Sequence, residues 1–145
     1  NEPQEGRMYD DLLVKPMREE LTSIGVTELR TAEDVDAFMA DESGTALIVV
    51  NSVCGCAAGM ARPGLRLALE NASRPDRVAT VFAGQDGEAT AKARGFFGEV
   101  PPSSPSFALF KDGGLAHFIP RHAIEGRQAT DVAADLTAAF DEHCA

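Results

Sequence analysis

The chain has 145 residues, 44% hydrophobic and 25% charged, enough apolar material for one domain with a single core. Its formal net charge of -10 excludes the basic face that phosphate backbones require and disfavours anionic membranes, so neither nucleic acid nor membrane is an expected partner. No apolar run approaches the ~20 residues of a membrane span, and three cysteines are too few to staple a secreted domain.

Residues 1–8 read as a disordered N-terminal extension, and 9–145 as one domain. The first seven residues are polar and lack the apolar core of a signal peptide, so the thiols are expected to rest reduced in the cytoplasm. Residues 9–24 read as a helix with Leu13, Met17, Leu21 and Ile24 on its apolar side; Pro16 should kink it or open a new helix. A short strand is expected over 26–30. Thr31 is placed to cap a second helix, with acidic first-turn residues and Val35, Phe38 and Met39 facing inward.

Residues 45–51 form a near-continuous apolar run, the pattern of a strand buried on both faces. Residues 57–71 read as a helix that Pro63 should bend. A strand over 77–83 and a helix over 86–97 follow, the latter with Ala89, Ala93 and Phe96 or Phe97 toward the core. After the loop Pro101-Pro102-Ser103-Ser104-Pro105, strands over 106–111 and 115–119 join through Asp112-Gly113-Gly114 as an antiparallel hairpin. A helix over 130–143 ends the chain, with Val132, Leu136, Ala139 and Phe140 on one side. The three earlier strands alternate with helices and should pair in parallel.

Chemistry concentrates at Cys54-Gly55-Cys56, where the apolar strand hands over to a helix. A thiol is a nucleophile only as thiolate, and the amides of a helix N-terminus lower its pKa. Two other readings stand beside redox work. The pair can hold Zn or Cu, with Cys144 or His143 completing the site, or it is a packed pair of thiols in a non-catalytic interaction module. Cys144 reads as a surface thiol of the last helix or a third redox partner. Arg62, Arg121 and Arg127 can draw an anionic thiol into an acidic protein, and His117, His122 and His143 form no pattern. Pro105 sits at the first position of a strand, where the missing N–H is tolerated, in a loop where an X-Pro bond can be cis.

A cysteine pair opening a helix, a proline inside that helix and a proline before a downstream hairpin together resemble the thioredoxin superfamily. The stretch Asn51-Ser52-Val53-Cys54-Gly55-Cys56-Ala57-Ala58-Gly59-Met60-Ala61-Arg62-Pro63 is similar to the signature of the bacilliredoxin family. So are Val81-Phe82-Ala83-Gly84-Gln85-Asp86, Ser103-Ser104-Pro105-Ser106, Phe118-Ile119-Pro120-Arg121-His122, Ile124-Glu125-Gly126-Arg127 and Ala138-Ala139-Phe140-Asp141-Glu142-His143-Cys144. The resemblance runs from about residue 9 to 144.

It implies an α/β, thioredoxin-like fold, a central mixed sheet of about five strands flanked by helices on both faces. It implies a cytosolic thiol-disulfide oxidoreductase or isomerase that removes bacillithiol from S-thiolated client proteins. Cys54 and Cys56 would be catalytic, and Ser104, Pro105 and Arg62 would contact substrate, with Pro105 cis and facing the thiols. Bacillithiol would be the co-substrate, with no permanently bound cofactor and no metal. The Trp-Cys-Gly-Pro-Cys of thioredoxin is absent. A Cys54–Cys56 bond closes a smaller ring than Cys-x-x-Cys allows, so a strained, more oxidising disulfide and a weaker reductant are expected.

Overall fold

The computed structural model describes residues 9–145; the expected N-terminal extension, 1–8, lies outside the described residues. Helix α1 is Asp11–Thr22, strand β1 Thr27–Glu28, α2 Ala32–Ala40 and β2 Thr45–Asn51. A π turn over Ala57–Ala61 runs directly into α3, Arg62–Ala68. Then come β3 Arg77–Phe82, α4 Gly87–Gly95, β4 Ser106–Lys111, β5 Gly114–Ile119, a 3-10 turn at Arg121–Ala123 and α5 Ala129–His143.

The apolar run of β2 is buried at all seven residues because this strand is the middle of a five-stranded sheet, ordered β1-β3-β2-β4-β5. It pairs in parallel with β3 and antiparallel with β4, and β1 also joins β3 in parallel. Alternation sorts the side chains onto two faces. Leu47, Val49, Phe107 and Leu109 pack with Leu21, Leu65, Leu136 and Phe140 from α1, α3 and α5. Ala46, Ile48, Val50, Ala108 and Phe110 pack with Val35, Met39, Ala89 and Ala93 from α2 and α4. The hairpin closes through two residues, Asp112 (φ 51°) and Gly113 (φ 86°), with Gly114 already paired to Lys111. Two successive positive φ values match the right-handed twist of the strands they join.

Of four local expectations, one holds and three are refined. Thr31 does cap α2: its hydroxyl accepts from the Asp34 amide at 3.0 Å, and Asp34 accepts in return from the Thr31 amide at 3.2 Å. Pro16 lies inside an unbroken α1. The residue whose carbonyl loses its bond is Leu12, four positions back and 77% exposed, so water can serve it. The buried stripe of α1 is Val14, Arg18 and Leu21, while Leu13 faces outward at 52% exposure. The apolar pattern misplaced this face because a charge occupies its centre. Arg18 Nη1 reaches Glu28 and Asp86 at 2.6 Å each, Nη2 reaches Asp86 at 3.1 Å, and the guanidinium lies 5.2 Å from the Phe82 ring. Of the two phenylalanines after α4, Phe97 is buried and Phe96 exposed.

Among the described residues, no helix is long and apolar enough to cross a membrane.

Candidate active site

The end of β2 delivers Ser52 and Cys54 to the head of the next helix. Asn51 still belongs to the sheet, and its carbonyl accepts the Ala83 amide at 2.9 Å. Three residues later the Cys54 carbonyl accepts the amides of Ala57 (3.0 Å) and Ala58 (3.1 Å), which starts the helix. The following π turn widens the backbone just ahead of Pro63, the first-turn proline of α3, where no N–H is available for a regular bond. The bend expected from Pro63 is therefore absorbed as a wide turn directly after Cys56.

Cys54 Sγ and Cys56 Sγ are 2.7 Å apart. Cys54 is half-buried; Cys56 is buried, at 6% exposure. The Ser52 hydroxyl stands 3.1 Å from Cys54 Sγ and accepts the Cys54 amide at 3.4 Å, so its own proton is free to point at the sulfur. Burial opposes a charge on Cys54. Hydrogen bonds from the Cys56 thiol, the Ser52 hydroxyl and the Ala57 amide, with the nearby Arg121 charge, outweigh it, so the Cys54 pKa lies below the ordinary thiol value. Cys56 moves the other way: burial first, then its donation to Cys54 and the Cys54 charge, raise its pKa. When the pair gives up one proton, the charge therefore settles on Cys54 and the remaining proton stays on Cys56.

Alkylation of Cys54 by iodoacetamide reports that charge. Its rate rises with pH through the Cys54 pKa, and the inflection is expected below the ~8.5 of an ordinary cysteine. Cys56→Ala removes a donor to the thiolate, so the inflection should move to higher pH. Peptide-resolved mass spectrometry across pH checks this; an inflection that moves down or stays in place contradicts the shared proton.

Cys54 opens onto a pocket of about 320 Å³ that is also lined by Tyr9, Ser52, Val53, Ala83, Gly84, Arg94, Ser104 and Arg121. Pro105 is buried next to Ser104 in the chain, and the Ser104–Pro105 bond is cis. The Arg121 amide donates to Ser103 Oγ at 3.2 Å, its Nη1 to the Ser104 carbonyl at 3.3 Å, and its Nε and Nη2 to the Glu125 carboxylate at 3.4 Å. Tyr9 is pinned at the rim by Gln85, whose side chain accepts the Tyr9 amide at 3.0 Å and donates to the Tyr9 carbonyl at 2.9 Å.

Of the three arginines expected to attract an anionic thiol, only Arg121 lines this pocket. Arg62 corrects the expectation of substrate contact: it is 2% exposed and its donors are committed inward. Nη1 donates to Asn51 Oδ1 at 2.9 Å and the Ser52 carbonyl at 2.8 Å, and Nε to Glu20 at 2.9 Å. Asn51 Oδ1 also accepts the Ser52 amide at 2.9 Å. Arg62 therefore fixes the Asn51-Ser52 corner through the Asn51 side chain and the Ser52 carbonyl. Arg127 is paired with Asp135 and the Ala123 carbonyl.

Cys144 and His143 do not approach the thiol pair. Cys144 lies beside Thr45 at the start of β2, while Cys54 follows its end, roughly 20 Å away along a seven-residue strand. That separation removes both the third-partner and the metal-completing roles within one molecule. Among the described residues, no group of three or more His, Cys, Asp or Glu is assembled to hold a metal ion. His117 and His143 lie beside each other, ring centroids 6.4 Å apart.

Sequence reasoning missed Ser52, Tyr9 and Arg94. A hydroxyl two residues before a reactive thiol was a usable signal for Ser52. Tyr9 and Arg94 reach the pocket only through long-range folding.

Comparison with known proteins places this geometry. The sequence profile of the Disulphide isomerase family matches residues 9–144. A bacilliredoxin of Koribacter versatilis is 55% identical over 137 residues, spanning 94% of both chains. One from Bacillus licheniformis is also 55% identical, over 94% of this chain and 95% of its own. A third, from Cytophaga hutchinsonii, is 55% identical over 93% of this chain and 99% of its own. Among solved structures, Fasciola hepatica thioredoxin superposes with a TM-score of 0.57 at 22% identity, over 81% of this chain and 99% of its own. Mitochondrial thioredoxin 3 of Saccharomyces cerevisiae gives 0.58 at 18% identity, over 85% and 98%. The fold is thioredoxin-like, the chemistry is thiol-disulfide exchange, and the chain belongs to the bacilliredoxins of the Disulphide isomerase family.

Proposed function

We propose that the protein removes a low-molecular-weight thiol, bacillithiol, from mixed disulfides on client proteins in the cytoplasm, with Cys54 as the attacking group. The observation that carries this reading is the unequal thiol pair: a half-buried Cys54 that opens on a pocket and is the easier to ionise, 2.7 Å from a buried Cys56 that is the harder to ionise. The Cys54 thiolate attacks the small thiol's sulfur in the mixed disulfide. A Cys54–small-thiol disulfide forms, the old bond breaks, and the client leaves as a thiolate that takes a proton from water. A second small thiol, as thiolate, then attacks the small-thiol sulfur and leaves as the symmetrical disulfide. Alternatively Cys56 loses its proton and attacks Cys54 Sγ, forming the Cys54–Cys56 disulfide and releasing the small thiol as thiolate; two further small thiols then reduce that disulfide and leave as their own symmetrical disulfide. Ser104 and the cis Pro105 form the wall against which the client's disulfide lies.

The test is incubation of the reduced protein with a bacillithiolated model protein, followed by mass spectrometry of both partners. The client should lose, and Cys54 should gain, the mass of one bacillithiol. A client that stays modified, or label appearing only on Cys144, overturns the proposal.

A further inference from the structure

Arg94 is on the last turn of α4, where a cation is ordinary. Its surroundings are not. Nη2 donates to the Ser103 carbonyl at a long 3.3 Å, and Nε is buried with no hydrogen-bond partner among the described residues. No carboxylate pairs with it among those residues, and burial works against its charge without compensation. A buried donor left unpaired costs stability unless something supplies the missing acceptor. Arg94 lines the same 320 Å³ pocket as Cys54, and the other charged lining residue is Arg121. Arg121 itself is only loosely held, its bonds to Glu125 and Ser104 being 3.3–3.4 Å long. Among the described residues, the pocket of this chain of net charge -10 thus carries two cations and no lining carboxylate.

We propose that Arg94 and Arg121 form an anion subsite beside Cys54 that takes a carboxylate of the low-molecular-weight thiol while its sulfur bonds to Cys54. The pocket is the size of a small organic ligand rather than of a protein segment. A carboxylate in the pocket supplies the counter-charge that Arg94 lacks among the described residues, and guanidinium groups bind carboxylates in charge-assisted pairs. The subsite makes the enzyme select acidic thiols over neutral or basic ones, and it places the small thiol rather than the client against Cys54. The identity of the substrate rests on the thiol-transfer reading; the charge preference of the pocket does not.

Iodoacetate and iodoacetamide separate the two. Both alkylate the same Cys54 thiolate and differ by one carboxylate, so their rate ratio cancels any change in ionisation or nucleophilicity. In the full-length native protein this ratio should exceed that of a free small thiol and fall with added KCl, as screening weakens the attraction. In Arg94→Met it should drop about fivefold, and Arg94→Lys should retain part of the preference by keeping the charge. If Arg94→Met fails to fold, the lysine variant and the salt titration carry the test. A ratio untouched by Arg94→Met, or by salt, overturns the subsite. An elevated, Arg94-dependent ratio together with no thiol transfer from any mixed disulfide overturns the proposed function and leaves the subsite standing.

Discussion

Cys54→Ser should reduce thiol removal to the uncatalysed background, whereas Cys56→Ser should hold the first transfer within about tenfold of the native rate and trap the small thiol on Cys54. The asymmetry follows from where the charge lies. Cys54 is the more exposed partner, and three donors plus Arg121 stabilise its anion. A serine there has no accessible anion at neutral pH, so no attacking group remains. Cys56 is buried and is the harder of the two to ionise. Replaced by serine, its position still holds a hydroxyl that can donate to Cys54. The loss is on the scale of part of one charge-assisted hydrogen bond, about one pKa unit. Single-turnover assays with a thiolated client, read by intact mass, measure both steps. A Cys56 variant that is dead while the Cys54 variant transfers at the native rate would reverse the assignment.

The second large effect is on stability. Arg18→Met should cost about 3 kcal/mol, a large part of the 5–15 kcal/mol that ordinarily separates folded from unfolded chains. Arg18 is 6% exposed, and the Asp86 side chain it pairs with is 9% exposed. Removing the guanidinium leaves Asp86 as a buried charge whose nearest other cation, Arg30, is half-exposed and 3.8 Å away. Glu28 loses its 2.6 Å partner as well. Adding Asp86→Asn to Arg18→Met should recover part of the loss, because the uncompensated charge is the main penalty. Urea unfolding with an unchanged denaturant slope measures both variants. A cost under about 1 kcal/mol for Arg18→Met would show that the triad is solvated like a surface pair.

How much of this was readable before the fold was known differs by residue. Alternating apolar runs and helical stretches exposed every strand and helix, and the uninterrupted Ala46-Leu47-Ile48-Val49-Val50 marked the central strand. Local chemistry was equally legible at Thr31, where cap and acceptor are three residues apart, and at Cys54, where strand meets helix. The opaque part consists of charges in the interior. Arg18, Arg62 and Arg94 look alike in sequence, each an arginine in a helix. Only long-range folding gives the first two of them Asp86 and Asn51 as partners and leaves the third with an unpaired Nε. The same blindness placed Leu13 rather than Val14 on the inner face of α1, since a stripe centred on a charge does not register as apolar.

The unequal thiol pair also sets an order of events. Three influences hold the proton on Cys56: burial, its donation to Cys54 and the charge of Cys54. Once Cys54 is bonded to another sulfur it is neither an anion nor a strong acceptor, and the last two vanish together, while the pull of Arg121 on Cys56 persists. Cys56 is therefore silent while the enzyme is empty and becomes easier to ionise when it is loaded. The two sulfurs act as an interlock, in which occupancy of the outer one arms the inner one, and no separate signal is needed to start release.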